Sequence, residues 1–201
     1  MNTPSIEAIV VDLGGVAARF YPARRLHALV AATGIDEHVI HERLFSSGFD
    51  HRCELGELTA EEAVSEVLSA LNAIAVADLI EAWSLAFEPN DAIVERVRTA
   101  PARRVLFTNN GPLLDACLTG PLRTLADAFD DVICSWHLRA TKPDPLAFER
   151  AADRLAMPGA SLLLLDDSPA NVHAARDLGW YAALVEEYGD VENALARFDL
   201  R

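Results

Sequence analysis

The sequence predicts an α/β fold, a doubly wound Rossmann-like parallel sheet carrying an inserted helical subdomain. Three observations predict it: short aliphatic runs bounded by polar or turn residues, helical patterns between them, and one stretch of consecutive helical patterns that interrupts the alternation. Runs this short, apolar on both faces, are what parallel strands covered by helices look like. Strand alternating with helix implies right-handed crossovers, and in such sheets ligands gather at the carboxyl ends of the strands.

The first run, IEAIVVD (Ile6 to Asp12), ends in one aspartate and passes at once into Leu13, Gly14 and Gly15. A carboxylate at the end of a central strand, followed by a backbone without Cβ atoms, reads as a turn whose amides approach a ligand closely. From Pro22 to Pro89 the pattern is helix after helix (LHALVAATG, DEHVIHERLF, TAEEAVSEVLSALNA, VADLIEAWSLAF), with no convincing strand. Thr59 followed by Glu62 fits a capping box that opens the third of these. Residues 1–20 and 90–201 are therefore assigned to the core domain and 21–89 to a helical subdomain lying over the site as a lid. Its aliphatic spacing reads as bundle core.

The alternation then resumes with the runs RRVLFTNN (Arg103 to Asn110) and DVICS (Asp131 to Ser135), a helix over Asp144 to Ala156, and SLLLLDD (Ser161 to Asp167). A helix over Pro169 to Leu178 with Gly179 as its stop signal and the run YAALV (Tyr181 to Val185) close the pattern.

At 201 residues the chain fits one medium domain, or a core with a modest insertion. Lys and Arg number 17 against 31 Asp and Glu, a formal net charge of −14, whose long-range field repels nucleic acid and anionic membrane. An anionic substrate is repelled too, so a phosphate site has to win locally through a metal, a lysine and oriented amides. The start of the sequence shows no secretory signal pattern, and nowhere do about 18 apolar residues run uninterrupted. The expected location is cytoplasmic. Cys53, Cys117 and Cys134 are scattered without metal or disulfide spacing and read as reduced thiols.

The residues that follow the apolar runs carry the chemistry: Asp12 after the first, Thr108, Asn109 and Asn110 after the second, Lys142 beyond the third, Asp166 and Asp167 after the fourth. Singly each is an ordinary turn former or cap. The sheet argument places all of them on one rim, where carboxylates, a hydroxyl, an ammonium and glycine amides make a phosphoryl-transfer set. A carboxylate can attack phosphorus and split one hard hydrolysis into two easier steps. Hard oxygen ligands hold Mg2+ beside a substrate phosphate, while a hydroxyl, a lysine and backbone N–H groups neutralise the equatorial oxygens.

VVDLGGV, LFTNN, ATKPDPLAF and LLLLDDSPANVHAARDLG resemble, in this order, the four motifs of the haloacid dehalogenase superfamily of hydrolases. The resemblance spans nearly the whole chain, looks closest to the DLGxV branch of phosphatases acting on sugar phosphates and similar small esters, and makes the helical insertion a C1-type cap. It implies Asp12 as nucleophile, Thr108 as phosphate-binding hydroxyl and Lys142 as charge-neutralising cation. Leu13, Gly14 and Asn109 would complete the substrate cradle. The implied Mg2+ set is Asp12, the Gly14 carbonyl and Asp167, joined by Asp166, which orients Lys142 or a metal-bound water. The loop FDHRCELGEL is similar to the family's substrate-selecting loop, which puts Arg52 on the substrate, with Arg19 and His51 nearby.

The sequence departs from the family pattern at Gly14, where most of these phosphatases carry a second Asp that protonates the leaving alkoxide and then activates water. Asn171 stands where some relatives have another acidic residue, and Arg139 where many have glycine. The leading reading is a Mg2+-dependent phosphatase of a small phosphate monoester. Two others stand beside it: a metal-free 2-haloacid dehalogenase, and a non-catalytic phosphate-binding or interaction protein.

Overall fold

The computed structural model describes residues 5–71 and 74–200. Asn72 and Ala73, the end of the run TAEEAVSEVLSALNA, lie outside the described residues, as do the first four.

Five strands form the main sheet: β1 (Ala8–Val11), β4 (Arg103–Thr108), β5 (Asp131–Cys134), β6 (Leu162–Asp166) and β7 (Tyr181–Leu184), in the order β5-β4-β1-β6-β7. Every pairing is parallel, with Val10 of the central strand between Val105 and Leu164. Residues 8 to 11 are fully buried, because alternate side chains enter two cores. Ile9 and Val11 face one with Leu106, Leu163 and Leu165; Ala8 and Val10 face the other with Val105, Phe107 and Leu164. This two-sided burial is why the strands read as unbroken aliphatic runs. The observed strands are shorter than the predicted runs by one to three residues because the polar residues at each end already belong to the turns.

Between β1 and β4 the chain runs through β2 (Ala18–Phe20), α1 (Pro22–Thr33), α2 (Glu37–Ile40), a π-helical turn (His41–Phe45), α3 (Phe49–Glu54), α4 (Ala60–Leu71), α5 (Val76–Ser84), β3 (Phe87–Pro89) and α6 (Asp91–Arg98). The expectation of no strand here is corrected at one point: β3 pairs antiparallel with β2 as a separate two-stranded ribbon. Three residues per strand are too few to show an alternating pattern, and the tail of VADLIEAWSLAF reads as helix until Phe87 meets Phe20 at 5.2 Å between ring centroids. The capping box before α4 forms, with Thr59 N–H donating to Glu62 Oε2 (2.8 Å) and Glu62 N–H to Thr59 Oγ1 (3.2 Å). Helices α4 and α5 pack on α7 (Pro112–Thr119), so the core on that face of the sheet continues into the helical segment.

The remaining helices are α8 (Arg123–Ala126), α9 (Ser135–Leu138), α10 (Pro145–Leu155), α11 (Pro169–Asp177) and α12 (Tyr188–Arg197). Asp144 caps α10 by accepting from Leu146 N–H at 2.9 Å, and Gly179 follows α11 at φ 80, the left-handed stop expected of glycine. Cys53, Cys117 and Cys134 are free and buried. Among the described residues no single helix is long and apolar enough to cross a membrane.

Candidate active site

The chain winds from β1 to β4 and β5 on one side, then returns past β1 to β6 and β7 on the other. The switch point therefore falls between β1 and β6, the place where open α/β sheets open a crevice. Asp12 leaves β1 there, and Asp166 and Asp167 leave β6. Thr108 ends β4, and Lys142 arrives from the loop between α9 and α10.

Three of the residues read from the sequence, Asp12, Lys142 and Asp166, meet directly. Lys142 Nζ donates to Asp12 Oδ1 (2.8 Å), Asp166 Oδ2 (2.6 Å) and the Phe107 carbonyl (2.9 Å), and its side chain is 1% exposed. All three ammonium protons are thus used within a buried pocket. Burial pulls the Lys142 pKa down, yet the two carboxylates outweigh it and hold the ammonium above its ordinary value. Asp12 moves the other way: burial, reinforced by Asp166 and Asp167 and opposed by Lys142, pushes its carboxyl up to about 6.

Asp166 is fully buried. Its Oδ1 accepts from Ser168 N–H and Asn171 Nδ2, each at 2.9 Å. Its carboxylate therefore stands between Lys142 and the first turn of α11 as an anchor, and Asn171 serves that anchor as a donor, which an acidic residue cannot do. Asp167 faces the solvent side of the site. Carboxylate oxygens of Asp12, Asp166 and Asp167 lie within 4.8 Å of one another, a hard-oxygen grouping that fits Mg2+.

The loop after β1 is shaped around Asp167. Gly15 has φ +87, and a Cβ there would lie 2.0 Å from Asp167 Oδ2, so the second glycine of the motif is required both by conformation and by space. Gly14 is different: a Cβ would meet only Phe20 Cβ, at 3.7 Å. The turn is closed by the amides of Gly15, Ala17 and Ala18, donating to Ala18, Asp12 and Leu13 carbonyls, bonds that leave the amides of Leu13 and Gly14 out.

Thr108, 2% exposed, accepts from Asn110 Nδ2 at 2.8 Å. Asn109 clamps the backbone of Lys142 at both ends, its Oδ1 accepting from Lys142 N–H (2.9 Å) and its Nδ2 donating to the Lys142 carbonyl (2.7 Å). Arg139 caps α9 in the left-handed region at φ 51, a conformation that explains why glycine suits this position.

Asp12, Gly14, Thr108, Asn109 and Lys142 line one cavity of about 240 Å3 together with Phe20 of β2 and, from residues 21–89, Arg25, Asp50, Cys53, Glu54, Trp83 and Phe87. Arg52 does not line it. It turns toward α4 and pairs with Glu66, because α3 points one face, with Asp50, Cys53 and Glu54, into the cavity and leaves Arg52 on another. Arg19 pairs with Glu88 at 3.4 Å and is exposed.

The cation on the cavity wall is Arg25, which sequence reasoning missed. It is 5% exposed, its guanidinium lies 4.0 Å over the Trp83 ring, and its Nε is buried without a hydrogen-bond partner. Burial lowers its pKa, opposed by Asp50, Cys117 and Glu54. A charged residue on the apolar face of α1, beside Leu26 and Leu29, was the available signal. Asp50 and Glu54 also escaped notice; burial raises both, Glu54 to about 7.

A family model described as haloacid dehalogenase-like hydrolase matches residues 6–179. A phosphatase of Mycobacterium tuberculosis, MT3486, is 29% identical over 204 residues, covering 96% of this chain and 93% of that protein. Among solved structures, a HAD family enzyme of Bacteroides thetaiotaomicron in complex with magnesium and inorganic phosphate aligns with TM-score 0.69 at 18% identity, covering 92% of this chain and 98% of that one. The L-2-haloacid dehalogenase of Xanthobacter autotrophicus with chloropropionic acid covalently bound aligns with TM-score 0.60 at 19% identity, covering 98% and 84%.

Proposed function

This chain belongs to the haloacid dehalogenase-like hydrolases, and from that premise we propose that it is a Mg2+-dependent phosphatase of small phosphate monoesters, of the DLGxV kind, with residues 21–89 as a C1-type cap. The observation that carries the reading is the buried Asp12–Lys142–Asp166 chain of hydrogen bonds with Asp167 beside it.

In this reading Asp12 attacks the phosphoryl group. Its carboxylate is short of protein partners, accepting from Lys142 on Oδ1, and burial makes it a stronger base and nucleophile than an exposed aspartate. Thr108 holds the transferring oxygens and Lys142, its three protons donated to Asp12, Asp166 and the Phe107 carbonyl, neutralises their charge. Asn109 fixes where Lys142 sits, and the amides of Leu13, Gly14 and Asn109 complete the cradle. Asp12, Asp167 and the Gly14 carbonyl would hold Mg2+, with Asp166 behind them, and the ion when bound offsets the repulsion between an anionic ester and this acidic chain. Arg25, rather than Arg52, is the cap cation on the substrate side. The phosphatase relative from M. tuberculosis supports phosphoryl chemistry, and the family resemblance favours sugar phosphates and similar small esters.

The acidic pair Asp166–Asp167 separates this reading from a dehalogenase, which needs no metal. Phosphate release from a panel of sugar phosphates and p-nitrophenyl phosphate tests it. We expect release that depends on Mg2+, stops in EDTA and is abolished in Asp12→Asn. Wild-type turnover by Asp12→Asn excludes Asp12 as nucleophile, and halide release from 2-haloacids that persists in EDTA restores the dehalogenase.

A further inference from the structure

Gly14 leaves a chemical gap: an alkoxide is a poor leaving group unless a proton reaches it, and glycine has none to give. We propose that Glu54, carried in from the helical segment, is the general acid and base of this site. The inference rests on the phosphatase reading above.

Geometry supports it first. Glu54 lines the same cavity as Asp12, Thr108 and Lys142, brought there by α3. Its position is fixed rather than incidental. Ser135 Oγ donates to the Glu54 carbonyl at 2.8 Å, and the same oxygen accepts from Asn110 N–H at 3.1 Å, so the end of α3 is tied to the loops that carry Thr108 and its neighbours. The seam is close-packed as well: a Cβ on Gly111 would lie 2.5 Å from Cys53 Cβ, and one on Gly56 would lie 2.4 Å from the Trp136 carbonyl. Glycines at these two positions let the helical segment seat directly against the catalytic rim.

The chemistry fits the position. The charged groups facing Glu54 are Asp50 on its own helix and Arg25 from α1, with Asp12 and Lys142 lining the same cavity. Cys53 lies between the two carboxyls of α3 as a thiol that burial pushes up to about 12, and so stays neutral. Burial first and Asp50 second raise the Glu54 carboxyl against Arg25, to about 7. Near neutral pH both of its protonation states are populated, which is what a group that gives and then takes a proton requires.

In the first step an Asp12 oxygen forms a bond to phosphorus and the ester P–O bond breaks. Its electron pair goes to the leaving oxygen, which takes the Glu54 proton and departs as an alcohol. In the second, water bonds to phosphorus while the Glu54 carboxylate accepts its proton, the Asp12–phosphorus bond breaks, and inorganic phosphate leaves with Asp12 and Glu54 restored. Asp50 is the competing donor; Glu54 is preferred because its side chain is one methylene longer and its backbone is tied to the rim through Ser135.

The test is the dependence of kcat/KM on the leaving group, measured with Mg2+ across p-nitrophenyl, phenyl and primary alkyl phosphates for the wild type, Glu54→Gln, Asp50→Asn and Asp12→Asn. We expect Glu54→Gln to lose about 100- to 10,000-fold on alkyl phosphates and much less on p-nitrophenyl phosphate, and to lose the alkaline fall in activity. Gly14→Asp, whose Cβ would meet only Phe20 Cβ at 3.7 Å, is expected to restore part of the alkyl activity in the Glu54→Gln background. Equal losses on all leaving groups, no loss, a wild type inactive on alkyl phosphates, or a leaving-group effect confined to Asp50→Asn overturns the proposal. Asp12→Asn reads the parent hypothesis separately, since activity there sinks the nucleophile assignment whatever Glu54 does.

Discussion

The side chain of Asn109 holds the backbone of Lys142 by both its N–H and its carbonyl, at 2.9 and 2.7 Å. One residue after Thr108 thus sets the position of the ammonium that faces Asp12, and the end of β4 is mechanically joined to the loop that carries Lys142. Asn109→Ala removes both bonds. It is expected to lower stability by about 1–3 kcal/mol and to lower kcat, because Lys142 then holds Asp12 and phosphate less well; thermal melts and phosphate release check both.

The two glycines after Asp12 are predicted to differ. Gly15→Ala places a side chain at φ +87 against the Asp167 carboxylate; the backbone alone costs about 1–2 kcal/mol, and displaced Asp167 should raise the Mg2+ concentration needed for half-maximal activity. Gly14→Ala meets only Phe20 at 3.7 Å, so its stability should stay within about 1 kcal/mol of the parent. Magnesium titrations of the two variants side by side decide the point, and equal effects would refute it.

Asp12 makes a pH prediction with a definite sign. Burial pushes its carboxyl up to about 6 in the folded chain, from an ordinary 3.8. Between those values the folded state binds the proton more tightly than the unfolded state, so stability falls as pH rises through the window, and the full cost of the buried charge is present above it. Asp12→Asn should therefore melt higher than the parent above that window and lose this advantage below it, while being inactive throughout. Activity, which needs the ionised form, falls as pH drops through the upper part of the window, and Mg2+ moves that limb lower by favouring the carboxylate.

Arg25 sits buried with its Nε unpartnered, an arrangement that costs stability until a ligand pairs with it. Arg25→Met is expected to leave the melting temperature unchanged or raise it, while weakening substrate binding by about 1.5–3 kcal/mol, roughly 10- to 100-fold in KM. A lower melting temperature with unchanged KM would make Arg25 a packing residue instead.

The sheet was legible because parallel strands buried on both faces leave a mark at every position, as in Val10 between Val105 and Leu164. The rim residues were legible because each follows such a run directly. The ribbon of β2 and β3 was not, since three residues carry no period. Nor was the cavity wall: Arg25, Asp50 and Glu54 reach one cavity through the packing of α1 on α5 and of α3 on α9, which no spacing in the sequence encodes, and Arg52 looked available only because its partner Glu66 lies on another helix. Arg139 had no account until its left-handed backbone was seen.

Turnover at this site depends on Asp12 taking up the phosphoryl group. A single turnover with radiolabelled phosphate ester and Mg2+, quenched in acid, tests it most directly. Label is expected on the peptide that contains Asp12, and none in Asp12→Asn. Label on a different residue, or product formed by Asp12→Asn at the wild-type rate, would contradict it.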